Sequence, residues 1–114
     1  MSEFQFKSNV KTLDIKGPSG EVVKTYKINV GQKDQVKSWM KQLGALQSVD
    51  STGFDEAVID QLYNMEKEVV TAILGDWDTL WALCEENVFS MLSFVKYLSN
   101  FLTEQMQSFY KDYV

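Results

Sequence analysis

On either side of Gly17-Pro18-Ser19-Gly20 the residues from Thr12 to Val30 alternate between apolar and polar, the period-two pattern of two strands joined by a turn. Pro18 presets the φ angle suited to the second turn position, and the flanking glycines relax the backbone where the chain reverses. With Gly17 opposite Gly20, Ile15 faces Val22, Leu13 faces Lys24 and Lys16 pairs with Glu21. One face then carries Leu13, Ile15, Val22, Tyr26, Ile28 and Val30. Phe4, Phe6 and Val10 stand at even positions whereas Leu13 and Ile15 are odd, so a bulge near Lys11 or Thr12 is expected to bring all five to one side. A lone hairpin is marginal in water, and its apolar face must meet a helix or another chain.

After Gly31 the period changes to that of a helix. Val36, Trp39, Met40, Leu43 and Leu46 recur three and four apart, predicting an amphipathic helix from Lys33 to Leu46 with Lys33, Lys37 and Lys41 on its polar side. The polar run QSVDSTG ends it, and Thr52 with Asp55 three residues on resembles a capping box. A second helix is predicted from Phe54 to Leu74, with Phe54, Val58, Leu62, Met65, Val69 and Ile73 on one stripe and Gly75 as its stop. Asp76 or Asp78 caps a short third helix bearing Trp77, Leu80, Trp81 and Cys84, which the run EEN ends. Asn87 caps a final helix running to Tyr110. The three tryptophans, Trp39, Trp77 and Trp81, are expected to be largely buried. Together these elements predict an α+β fold: a single domain in which a β-hairpin arm (residues 1–31) precedes a bundle of about four α-helices (residues 32–114).

The final helix has more apolar surface than one buried face can use. Val88, Leu92, Val95, Leu102, Met106 and Phe109 form the expected core stripe, and a second stripe of Met91, Phe94, Leu98 and Phe101 adjoins it, extended by Tyr97, Tyr110 and Tyr113. Monomers seldom expose contiguous apolar patches beyond several hundred Å². Either the hairpin and the other helices cover both stripes, or another polypeptide takes up the excess. The second outcome assigns partner binding to Met91, Phe94, Tyr97, Leu98 and Phe101, because aromatic residues and methionine are enriched at such contacts.

Charge adds a second asymmetry. Residues 1–46 hold eight lysines against four acids, a net of +4, and residues 47–114 hold three lysines against twelve acids, a net of −9. Opposite signs in the two halves are either solvated faces with no partner or the two sides of a head-to-tail contact between copies of the chain. The chain has no arginine, which speaks against specific nucleic-acid recognition; the alternation of Lys24, Tyr26 and Lys27 is ordinary for a half-buried strand. Without histidine it lacks the commonest general base and metal ligand. Four carboxylate pairs remain for acid-base work (Asp55 with Glu56, Glu66 with Glu68, Asp76 with Asp78, Glu85 with Glu86), and each has a simpler reading as helix-start charge or solvated face. The stretch from Asp76 fails as a calcium loop, since Trp81 occupies the sharp-turn glycine position and Asn87 that of the closing glutamate. No phosphate-cradling glycine motif occurs. Neither a catalytic site nor a cofactor or metal site is therefore expected. The single cysteine, Cys84, reads as a packing residue. No apolar run long enough to cross a bilayer and no secretion signal is present, and a cytoplasmic location is expected.

The order of parts resembles the small tail assembly chaperones of long-tailed bacteriophages of Gram-positive hosts. The residues that carry the likeness are FQFK from Phe4, VVTAILGDWDTLWALCEEN from Val69 and FSMLSFVKYLSNFLTEQM from Phe89. The resemblance implies a non-enzymatic cytoplasmic protein that self-associates and coats the long, apolar-patched tape measure protein until tail subunits replace it. A permanent structural component of a tail or virion, or a generic protein-interaction module, is the alternative, and a small enzyme stands further off.

Overall fold

The computed structural model describes residues 2–47 and 55–113. A two-stranded antiparallel hairpin, β1 (Val10–Lys16) and β2 (Val22–Asn29), is followed by four helices: α1 (Lys33–Gln47), α2 (Glu56–Leu74), α3 (Trp77–Leu83) and α4 (Val88–Tyr113). This is the α+β architecture expected from the change of period after Gly31. Its extents are 65 × 32 × 18 Å.

The turn forms where Pro18 puts it. The Gly20 amide donates to the Gly17 carbonyl at 2.9 Å, and Gly20 takes a φ of 86°, a conformation that glycine adopts without strain. The strand register differs from the expected one. Leu13 pairs with Tyr26 and Ile15 with Lys24, while Lys16 pairs with Val22, so Val23 is the extra residue of a bulge near the tip. One inserted residue reverses the side-chain alternation beyond it. Val22 consequently turns to solvent, while Leu13, Tyr26, Ile28 and Val30 remain buried. The bulge expected at Lys11 or Thr12 does not form, because β1 runs in unbroken register from Val10 to Ile15. Phe4 and Phe6 lie outside any strand and stay in solvent.

Helix ends follow local chemistry. Asp55 is itself the N-cap of α2, its carboxylate accepting the Val58 amide at 3.0 Å; Thr52 and Phe54 lie outside the described residues. Gly75 ends α2 in the left-handed region at φ 71°, the stop that glycine supplies most cheaply. Asn87 caps α4, its Oδ1 accepting the amides of Phe89 and Ser90 at 2.9 and 3.0 Å, and α4 runs three residues past the expected end at Tyr110. Between α3 and α4 the chain reverses through Glu85 and Glu86, both left-handed with φ 59° and 55°.

The helix at the centre of the packing is α2, which contacts α1, α3, α4 and β2. Its Leu62, Met65, Val69, Val70 and Ile73 join one core cluster with Trp39 of α1 and with Met91, Val95, Leu98 and Leu102 of α4. The buried stripe of α4 therefore draws on both stripes read from the sequence. At about 100° per residue, Met91, Val95, Leu98 and Leu102 share one face, whereas Val88, Leu92, Met106 and Phe109 are only half-buried beside it. Trp39 and Trp77 are buried and Trp81 is half-buried, its ring stacked on Trp77 at 5.1 Å with Tyr63 set edge-on to both. Met40, expected in the α1 stripe, is exposed.

One core residue is an acid. Glu66 is fully buried on α2, and among the described residues neither carboxylate oxygen has a hydrogen-bond partner. Burial in this apolar surround raises its pKa from the ordinary 4.5 to about 8, so the side chain is held neutral at pH 7. In the unfolded chain the same group ionises near 4.5. Between those two values the unfolded state therefore binds fewer protons than the folded one, and stability falls as pH rises.

Two outcomes follow. Urea unfolding midpoints fall as pH rises from about 4.5 to about 8, and Glu66→Gln flattens that slope. Leu98→Ala costs about 2–5 kcal/mol by opening a cavity, whereas Tyr97→Ser, next to it but outside the core, changes stability by less than about 0.5 kcal/mol.

Candidate functional site

Of the five residues assigned to partner binding, the structure separates two from three. Met91 and Leu98 are sealed in the core, while Phe94 and Phe101 are half-buried and Tyr97 is 56% exposed. The division is geometric. Phe94, Tyr97 and Phe101 follow one another at steps of three and four along α4 and lie to one flank of the stripe that α2 covers. Met91 and Leu98 are thus corrected from surface to core: α2 reaches them because α4 turns that face inward. The remaining strip is aromatic and runs along two turns.

A second open surface lies at the other end of α4. A groove of about 1370 Å³ runs between α1 and the last turns of α4, with Val30, Val36, Met40, Met106 and Phe109 among the residues lining it. Lys33, Lys37 and Lys111 also line it, and among the described residues no carboxylate does. The hairpin closes one end: the Tyr113 hydroxyl donates to Asn9 Oδ1 at 3.0 Å, and Lys11 Nζ stands 5.3 Å from the centre of the Phe109 ring. Sequence periodicity did not single out this groove. Its signal was the pair of exposed apolar residues, Met40 and Tyr110, that α1 and α4 carry beside their core stripes.

The carboxylate pairs are not brought together as acid-base partners. Asp55 caps α2, Glu66 is buried while Glu68 is exposed, and Glu85 and Glu86 are exposed at the α3–α4 reversal. Asp76 has a structural partner: its Oδ2 accepts the Tyr26 hydroxyl at 2.8 Å. That bond, and after it Thr79, hold the Asp76 carboxyl below the usual range. Burial first, then the same bond, push the Tyr26 phenol upward. The contact joins β2 to the start of α3 across 50 positions of sequence and fixes how the hairpin sits on the helices. Glu66, read from sequence only as half of a surface pair, is the core residue that the sequence reading missed. Its position four residues after Leu62 and three before Val69 places it on the buried stripe itself.

Cys84 is half-buried, and its thiol donates to the Trp81 carbonyl at 3.2 Å, as a packing residue does. Among the described residues no three acids and cysteines are grouped so as to hold a metal ion, and no helix is long and apolar enough to cross a membrane. Comparison with protein-family models, with curated proteins and with solved structures finds no match to this chain.

Proposed function

We propose that this protein is a non-enzymatic binding protein that self-associates and takes up apolar helical segments of another polypeptide, acting in the host cytoplasm as an assembly chaperone for the tape measure protein of a phage tail. The observation that carries the reading is the aromatic strip on α4 in which Tyr97 is exposed and Phe94 and Phe101 are half-buried at the edge of the core that Met91 and Leu98 fill. Its steps of three and four match the ridge of a second helix laid along α4. Each ring that such a helix covers contributes roughly 25 cal/mol per Å² of apolar area removed from water. A strip this short holds one helix weakly, and repeated along an assembly of copies it holds a long partner firmly while staying releasable.

Self-association has its own support in the exposed charges. Lys33, Lys37 and Lys41 stand in solvent on α1, and Asp78, Glu85, Glu86 and Glu104 stand in solvent on the later part of the chain. Exposed charges of opposite sign on different parts of one molecule suit a heterologous, head-to-tail contact, the kind that builds a ring or an open spiral.

Co-expression with the tape measure protein tests the reading. Tyr97→Glu is expected to lower co-purification at least about tenfold, since it places a charge against a desolvated apolar helix, and to leave the thermal midpoint unchanged. Equal co-purification by wild type, Tyr97→Glu and Phe101→Ser would remove the strip from consideration. Recovery of the protein in stoichiometric amounts from purified particles would replace the chaperone role with that of a permanent tail component.

A further inference from the structure

We propose that residues 2–8 form an exchange arm, and that Phe4 and Phe6 of one copy seat in the groove between α1 and the end of α4 of a second copy. This goes beyond the chaperone reading and uses a different surface from the Phe94 strip.

The arm carries apolar surface with nothing to cover it in its own chain. Phe4 is 82% and Phe6 87% exposed, the highest values among the exposed large apolar side chains. Two residues apart in the chain, they stand together, their rings meeting edge to face at 4.9 Å. The arm thus presents one two-ring wedge. Seven residues reach at most about 25 Å from their root.

The groove has the complementary character. Its volume of about 1370 Å³ exceeds the roughly 300–1,000 Å³ of small-molecule sites and suits a length of polypeptide. Met40, Met106 and Phe109 offer an apolar lining, and methionine adapts its shape to an entering ring. The three lysines on its walls, with no carboxylate among the described lining residues, give Glu3, at the outer end of the arm, an opposite charge to meet.

Its own groove is the wrong target for the arm. Asn9, the residue at the root, belongs to the groove wall and is held twice, its carbonyl accepting the Val30 amide at 3.1 Å and its side chain accepting the Tyr113 hydroxyl at 3.0 Å. Ser8, the other turn-forming residue, accepts the Val10 amide on its Oγ at 3.5 Å. Residues 2–9 contain neither glycine nor proline to ease a reversal, and with these bonds in place no residue from 2 to 8 lines the adjacent groove. A second copy meets no such constraint. Because each chain carries its arm at the mouth of its own groove, two copies can exchange arms reciprocally about a two-fold axis, an isologous contact. Four phenylalanine rings at roughly 150–250 Å² each, with a similar area of groove, come to about 1,200–2,000 Å², the size of a standard stable interface.

The test uses the full chain. Sedimentation equilibrium is expected to show a dimer that persists in 1 M salt, where screening leaves little of an exposed charge contact. Phe4→Ser with Phe6→Ser is expected to weaken that dimer at least tenfold with unchanged far-ultraviolet circular dichroism. In a Cys84→Ala background, chains carrying Phe6→Cys mixed with chains carrying Met40→Cys are expected to form a disulfide-linked heterodimer. A dimer unaffected by the two serine substitutions overturns the proposal, and so does the absence of a crosslink between the mixed chains. Loss of the dimer with retained tape measure binding separates this contact from the Phe94 strip; loss of that binding in Tyr97→Glu with a retained dimer does the reverse.

Discussion

The burial of one face of α4 against α2 is the constraint on which the rest of the molecule depends. Met91, Val95, Leu98 and Leu102 are essentially without solvent contact, and each such side chain contributes on the order of 1.5–3 kcal/mol when buried. Because α2 also touches α1, α3 and β2, the rotation of α4 about its own axis is set by how α2 fills. That rotation decides which aromatic residues remain outside. Tyr97 is exposed, and Phe94 and Phe101 are only half-buried, because the facing helix takes the next stripe around.

The same contact makes Glu66 consequential. An uncharged carboxylic acid inside an apolar cluster lacks the hydrogen bonds that a buried polar group ordinarily has, and its protonation couples the α2 core to pH. A stronger core would place leucine there. The buried acid weakens the central helix at the point where it meets its neighbours.

The hairpin is attached by few but well-separated contacts. Leu13, Ile28 and Val30 enter the common core, Tyr26 reaches Asp76 at the start of α3, and Tyr113 and Phe109 at the end of α4 meet Asn9 and Lys11. At the bulge near the tip Val22 and Val23 are exposed. The root of the hairpin is thus part of the domain, and both the tip and the segment before Asn9 project from it.

The sequence alone determined the elements and their ends. The turn at Pro18, the change of period after Gly31, the left-handed stop at Gly75 and the cap at Asn87 each depend on φ preferences or hydrogen bonds within a few residues, and such signals are complete in the local chain. Tertiary structure decided everything that depended on what faces what. The bulge expected at Lys11 or Thr12 stands instead at Val23, which leaves Leu13, Tyr26, Ile28 and Val30 on the buried face. Tertiary packing sent Met91 and Leu98 inward and left Tyr97 out, and it put Glu66 in the core. A helix with apolar residues over more than half its circumference has several nearly equivalent faces, and local periodicity cannot choose among them. Only the volume of the neighbouring helix breaks that tie.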